Sequence, residues 1–464
     1  MSHLIIAPVL LPAIIAALIL LLPRLQRLLS VIGTAGLAAV SVQLLVTTSH
    51  RAPETYLLGN WPAPFGIVLQ LDRLAALMLV LTAGLACAVL WHVVATRLDN
   101  RTRHFHALFQ FQLMGLSGAY LTGDLFNLFV FFEVLLIASY GLMVHGGGAA
   151  RLQAGLRYVA VNLAGSSLFL VALALIYAVT GTLNMADLAV KVADLPPGDQ
   201  ALIRTAAVLL MLVFALKGAL VPLHLWLPGT YAQAPAAVAA LFAVLTKVGA
   251  YAVLRTTTLI FPTDTPATGT LLMDILLPAA LITLLLGALG ALGAASLPRV
   301  LAFAAIASMG TLFTAIAQAT PQATSAALYY LIHSTLSGAA LFLLSDRLQP
   351  RTGSAILFFA TALAVAGLPP LSGFLGKLMI LQASTAQAGL IWPVILIGSF
   401  LMLLAFARQG SNLFWTPVPD TDPEHATPLG PPALLLAAMV ALTVGAGPVT
   451  DWLSVTARSL HGAP

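Results

Sequence analysis

The stretch Leu216-Lys217-Gly218-Ala219-Leu220-Val221-Pro222-Leu223-His224-Leu225-Trp226-Leu227-Pro228 decides the fold. With the residues from 205 onward it is long and apolar enough to cross a bilayer, which takes about 20 residues. It nevertheless holds a lysine, which costs about 2.5–3.5 kcal/mol at a helix centre. It also holds Pro222, which cannot donate a backbone hydrogen bond and clashes with the preceding turn. The helix must break there, and the freed carbonyl needs a partner such as water or an ion. A second stretch repeats the pattern. Ala366-Gly367-Leu368-Pro369-Pro370-Leu371-Ser372-Gly373 interrupts an apolar run, and Lys377 follows shortly. Paired interrupted helices in two halves of a transporter point to its ion path. A proline kink kept only for packing is the plainer alternative, and the lysine beside each break argues against it. The two stretches predict an all-α integral membrane protein with broken helices at Pro222 and at Pro369 and Pro370.

The rest of the chain agrees. Of 464 residues, 60% are hydrophobic and 8% are charged, with a mean hydropathy of +1.01. A soluble domain carries about 25% charged residues. An ordinary soluble globule, a disordered chain, a nucleic-acid-binding protein and a secreted disulfide scaffold are therefore excluded. Cys87 is alone and cannot ligate an iron–sulfur cluster. Gly373-Phe374-Leu375-Gly376-Lys377 has the wrong spacing for a phosphate-binding loop. No group of His, Cys, Asp or Glu has metal-ligand spacing, so neither a cofactor nor a metal is expected. The net charge of +5 reads as arginine anchors in loops rather than as a surface for an anionic partner.

Hydropathy predicts about fourteen transmembrane helices in one polytopic membrane domain, 1–464. They lie near 4–22, 28–47, 73–96, 107–122, 125–144, 156–180, 205–225, 235–256, 271–292, 300–318, 325–345, 355–386, 391–410 and 432–452. Connections after odd-numbered spans carry Arg24 and Arg27; Arg97, Arg101 and Arg103 against Asp99; Arg151 and Arg157; Arg299; and Arg347 and Arg351. Arginine-rich connections stay in the cytoplasm, which puts both termini outside, in a bacterial inner membrane. The connection 411–431 fits less well, with Asp420, Asp422 and Glu424 opposed by Arg408. Short amphipathic pieces or coil are expected at 48–72, 181–204 and 411–431.

The chain has four lysines and three glutamates, and their positions are telling. Lys217, Lys247 and Lys377 fall inside apolar spans, as does Glu133 within Leu128-Phe129-Val130-Phe131-Phe132-Glu133-Val134-Leu135-Leu136. Proton relays and ion pathways are the usual reason for such residues. The structural alternatives are ion pairs locking helices together, or lysines reaching for the interface. A lysine out of water favours its neutral form, and a nearby carboxylate favours the charged form. A lysine whose carboxylate partner comes and goes can therefore load and release a proton. His333, in span eleven, and His224, seven residues after Lys217, are the next candidates, since histidine titrates near neutral pH. A hydrogen-bonded packing role is the alternative for each. His104, His106 and His145 are expected in loops without a role.

These motifs carry a resemblance. The sequence resembles the D subunits of Mrp-type multisubunit cation/proton antiporters, relatives of the antiporter-like membrane subunits of respiratory complex I. The telling stretches are Gly123-Asp124-Leu125-Phe126-Asn127 through Glu133, Leu216–Pro228, Leu245-Thr246-Lys247-Val248-Gly249-Ala250-Tyr251, Arg299-Val300-Leu301-Ala302-Phe303 and Gly367–Phe374. The resemblance implies fourteen helices with two inverted five-helix repeats, approximately 107–256 and 271–411. It implies a switching pair of Glu133 and Lys217, a central relay at Lys247 and a terminal residue at Lys377. It also implies partner subunits in a hetero-oligomeric complex within the lipid bilayer, exchanging protons for Na+ or K+. One departure matters. Relatives often carry a lysine one turn after the histidine of span eleven, where this chain has Ser337, so the step from Lys247 to Lys377 would rely on His333 and water. The second repeat also lacks a glutamate counterpart in span ten.

Two further readings stay open on the sequence. One is a proton-pumping membrane-arm subunit of a complex I-like NADH:quinone oxidoreductase or membrane-bound hydrogenase. The other is a structural scaffold whose charges are inter-helix ion pairs.

Overall fold

The computed structural model describes residues 2–346, 348–415 and 428–462. Arg347, Asp420, Asp422 and Glu424 lie outside the described residues.

Helices dominate because the apolar runs have no water to satisfy their backbones, and a helix satisfies them internally. In chain order they are α1 (Ala7–Leu21), α2 (Gln26–His50), α3 (Arg73–Ala95), α4 (Phe105–Leu121), α5 (Leu125–Met143), α6 (Ala149–Thr180), α7 (Met185–Ala193), α8 (Gln200–Lys217), α9 (Trp226–Gln233), α10 (Ala236–Leu259), α11 (Leu271–Gly293), α12 (Leu297–Ile316), α13 (Pro321–Leu344), α14 (Thr352–Ala366), α15 (Ser372–Ala383), α16 (Ala388–Phe414), α17 (Gly430–Val444) and α18 (Ala446–Leu460). Among the described residues, ten helices are long and apolar enough to cross a membrane, and α1 and α14 are shorter apolar helices.

Two of the expected segments differ. The span expected at 432–452 is two helices, α17 and α18, bent by 80° to each other. Gly445-Ala446-Gly447-Pro448 explains the bend: a glycine ends α17, and Pro448 is tolerated only in the first turn of the next helix. The connection 48–72 contains an antiparallel ribbon, β1 (Glu54–Leu57) with β2 (Val68–Leu71), in the register Glu54↔Leu71 to Leu57↔Val68. Every second residue of β1 is exposed, as in a strand with one covered face. The span 355–386 is broken where expected, into α14 and α15 with Pro369 and Pro370 between them.

Burial is graded across the bundle. The apolar window of α10 is wholly enclosed, those of α13 and α12 nearly so, and α2 and α16 show most of their surface to the outside. A helix apolar all round belongs in the interior. This places Lys247, midway along α10, at the centre of the molecule.

A charge cluster ties down the connection between α3 and α4. Asp99 accepts from Arg27 Nε at 2.5 Å and lies 3.1 Å from His106 Nε2, with His106 buried in the first turn of α4. Burial pushes the Asp99 carboxyl up, but the Arg27 and His106 hydrogen bonds and charges outweigh it and hold it below its ordinary value. His145 is buried as well, 3.0 Å from the Leu98 carbonyl. His106 and His145 are therefore not loose loop residues. A carboxylate folded into the connection needs donors, which Arg27 and His106 supply, while His145 ties down the neighbouring Leu98 carbonyl.

Candidate functional site

The site is built around α6, α8, α10, α13 and α15. Helix α8 ends on Lys217, and Gly218 to Pro222 carry the chain to the short helical turn at Leu223–Leu225 and into α9. Ala219, fully buried, sits at φ +54°, in the left-handed region that L-residues avoid. The polar groups freed at this break find partners inside the chain. Trp226 Nε1 donates to the Leu216 carbonyl at 3.0 Å, and Val221 N donates to Thr283 Oγ1 at 2.9 Å. The expected need for water or an ion at the break is thus met in part by an indole and a hydroxyl.

Lys217 is 8% exposed and donates to Asn162 Oδ1 at 3.0 Å. Glu133, on α5, accepts from Ser166 Oγ. Asn162 and Ser166 are four residues apart on α6, hence on one face of that helix. The carboxylate and the ammonium form no ion pair within 4.0 Å; each is held by one of these neutral side chains on α6. A small cavity of about 10 Å3, enough for a single water, touches Lys217 and is walled by Phe132, Tyr158, Asn162 and Trp226. Phe132, Phe169 and Phe214 pack edge to face at 5.5–6.1 Å and fix α5, α6 and α8 against one another.

Lys247 is 3% exposed, and among the described residues its Nζ finds only Met309 Sδ at 3.3 Å, a weak acceptor. Its second neighbour is space. A cavity of about 30 Å3 is lined by Lys247, Thr246, Ser308, Tyr330, His333, Ser334 and Ser337, among others. Ser308 Oγ is buried without a hydrogen-bond partner among the described residues. This volume holds about two waters. The side chain of Ser337, where relatives often have a lysine, forms part of the wall.

His333 is 1% exposed, and its Nδ1 lies 3.0 Å from Ser372 Oγ at the start of α15. Lys377, 8% exposed, donates to the carbonyls of Val365 (3.1 Å) and Ala366 (2.8 Å) and to Ser399 Oγ (2.8 Å). Those carbonyls are the last of α14, left without helical partners by the break, and the negative end of a helix suits a cation. Gly367 must be glycine twice over. Its φ is +82°, and a Cβ there would come within 2.6 Å of Lys377 Cδ.

The structure thus brings Lys247 and His333 to one cavity, and His333 and Lys377 to the two sides of the α14–α15 break. Glu133 and Lys217 share α6 as a scaffold. His224 stands apart. Because α8 ends at Lys217, the seven-residue spacing no longer puts the two on one face, and His224 is half-buried and absent from the wall around Lys217.

Helix α10 is pressed onto the end of α8. A Cβ on Gly249 would lie 2.7 Å from both Phe214 O and Gly218 N. Backbone cannot yield as a side-chain tip can, so Gly249→Ala is expected to lower thermal stability by about 1–3 kcal/mol. Thermal unfolding of the purified protein in detergent checks this, and an unchanged midpoint would contradict it.

Comparison with known proteins follows the same lines. Residues 122–405, which include every lysine and histidine of the site, match the family model described as NADH:quinone oxidoreductase/Mrp antiporter, transmembrane. The chain belongs to this family. Within the family it is 39% identical over 480 residues to the D subunit of the Na+/H+ antiporter of Bacillus subtilis (strain 168), covering 98% of this chain and 95% of that one. It is 38% identical over 519 residues to the D subunit of a probable K+/H+ antiporter of Rhizobium meliloti (strain 1021), covering 99% and 96%. A chain of the Mrp complex from Dietzia sp. DQ12-45-1b superposes with a TM-score of 0.91 at 28% identity, over 99% of this chain and 97% of that one. A chain of respiratory complex I from Thermus thermophilus with bound NADH gives 0.83 at 25% identity, over 99% of each. The protein is a multi-pass membrane protein of the antiporter family, and the architecture is shared with complex I.

Several residues around the site do not stand out in the sequence. Asn162 and Ser166 carry a readable signal, two polar side chains one helical turn apart in an apolar helix. Met309 and Ser399 carry none, since methionine and single serines are ordinary in membrane helices.

Proposed function

We propose that the chain is the D-type subunit of a multisubunit monovalent cation/proton antiporter, exchanging protons for Na+ or K+, and that it passes the protons along Glu133, Lys217, Lys247, His333 and Lys377. One observation carries this reading: among the described residues, no lysine of the three is spent on an ion pair. This chain does build structural ion pairs where it needs them, Arg255 with Asp72 and Arg27 with Asp99. The three span lysines instead have an amide, a thioether, and carbonyls with a hydroxyl as partners. A buried ammonium kept without an anion is a poor fastener and a good proton carrier, because its neutral form is accessible.

In this reading Asn162 and Ser166 hold the Glu133–Lys217 pair in its separated state, and approach of the two stabilises the charged lysine. Water in the Lys247–His333 cavity takes the place of the lysine that relatives carry at Ser337. His333, bonded to Ser372, hands the proton across the break to Lys377. His224, near the first break, belongs to the surroundings of the path rather than to its line. The repeats 107–256 and 271–411 each contain one interrupted helix, with Lys217 beside the break of the first and Lys377 beside the break of the second. The arginine-rich connections face the cytoplasm and both termini the outside. The complex I-like alternative shares the architecture, and the relatives at 38–39% identity bear antiporter names.

The test is cation-driven proton movement in proteoliposomes holding the complete complex, with Na+ and K+ compared, on wild type and Glu133→Gln. The variant is expected to lose exchange with either ion while assembling normally. Full exchange in the variant would sink the path.

A further inference from the structure

A third, larger cavity lies at the arginine-rich end of the bundle. It encloses about 190 Å3 and is lined by Arg101, Arg151, Tyr231, Ser345 and Asp346, with Ala239 and Pro298 on its inner wall. Its lining is polar and its volume holds several waters. Among the described residues only one lines both this vestibule and the Lys247–His333 cavity, and that residue is Phe342.

The two cavities are lined by the same faces of three helices. On α10, Ala239 faces the vestibule, and Ala243 and Lys247 face the cavity, at steps of four. On α13, Ser345 and Phe342 face the vestibule, and Gly338, Ser334 and then His333 face the cavity. On α12 the series is Pro298, Leu301, Ala305, Ser308. Such spacings keep one face of each helix in line. From Ala239 to Lys247 the rise is about 12 Å. Small residues line that way on α10, and Phe342 stands where the two linings meet. The ring is buried, and it meets Tyr231 edge to face at 5.9 Å. Tyr231 in turn is fixed by a 2.7 Å hydrogen bond from its hydroxyl to the Phe242 carbonyl.

We propose that Phe342, braced by Tyr231, is a dry gate between the polar vestibule and the Lys247–His333 cavity, and that protons enter the path when the ring swings aside and water joins the two spaces. Apolar constrictions close a conduit by excluding water rather than by charge. The rotor is one side chain, and the vestibule beside it has room to take the ring. The proposal rests on the proton-path reading above, with Lys247 as the first carrier reached from the vestibule.

The test uses proteoliposomes of the complete complex, with decay of an imposed pH gradient followed without Na+ or K+, and exchange followed with them. Phe342→Ala is expected to raise the cation-independent leak roughly tenfold, whereas Phe342→Leu, which keeps an apolar plug, stays near wild type. Adding Lys247→Met to Phe342→Ala is expected to abolish the leak. Gly338→Leu gives a second measurement should Phe342→Ala fail to assemble. The nearest atom to a Cβ at Gly338 is Ala243 Cβ at 3.9 Å, so a β-carbon is accommodated there and the rest of the leucine takes up the cavity; it is expected to slow exchange roughly tenfold without a leak. An assembled Phe342→Ala complex as tight as wild type, a leak that persists in the double variant, or full exchange in Gly338→Leu would each overturn the gate. Lys247→Met separates the two levels. If it is inactive while Phe342→Ala is tight, the gate alone fails; if it exchanges fully, the path itself fails and the gate with it.

Discussion

Lys247→Met is expected to lower cation/proton exchange at least roughly a hundredfold, the scale on which removing a proton-transferring side chain acts. The same variant should leave assembly and thermal stability intact or improved. Methionine matches lysine in length and lacks the charge. The lysine has no anion to leave stranded, since Met309 Sδ is the one partner of its Nζ among the described residues and the remainder of its surroundings is the cavity. Replacing a buried charge by an apolar side chain of similar shape removes a desolvation cost. A scaffold role predicts the reverse, with loss of assembled complex and unchanged exchange in whatever survives. Measuring exchange per assembled complex, alongside the thermal midpoint in detergent, separates these outcomes. Exchange at the wild-type rate would remove Lys247 from the path.

The contrast between what is legible in the sequence and what is not has a physical basis. A lysine or glutamate in an apolar run violates a strong rule, so Glu133, Lys217, Lys247 and Lys377 stand out without any structure. Proline inside a span does the same for the two breaks. Their partners obey the rules and stay hidden: a serine in a membrane helix, as at Ser399, or a methionine, as at Met309, breaks nothing. The Asp72–Arg255 pair shows a different limit. Arg255 lies within an expected span and Asp72 just before one, but they are 183 residues apart, and sequence spacing says nothing about such contacts. The bend at Gly445 is hidden for a third reason. The strongly apolar residues 433–444 lift the average over 432–452, and that average masks the Gly-Ala-Gly-Pro run and the more polar residues after it.

Arg255→Met provides the opposite case on the same helix, eight residues from Lys247. It is expected to destabilise the protein by about 3–5 kcal/mol, the cost of leaving a buried charge without its partner. Arg255 Nη1 and Nη2 grip Asp72 at 2.5 and 3.0 Å, and Nε and Nη2 reach the Tyr251 hydroxyl, which donates to the Tyr120 carbonyl. Asp72 also caps α3 through Ala75 N at 2.8 Å. The cluster therefore bolts the start of α3 to α10 and α4. Asp72→Leu combined with Arg255→Met should recover most of the loss, less about 1 kcal/mol for the missing cap. Complex yield and thermal midpoint report this, and exchange per assembled complex should stay at the wild-type level in the double variant. If instead Arg255→Met assembled normally but failed to exchange, Arg255 would belong to the ion path. The side chains themselves argue for the expected division. A guanidinium is permanently charged and matches a carboxylate with two parallel hydrogen bonds, which makes it a fastener; an ammonium without an anion can give its proton up, which makes it a carrier.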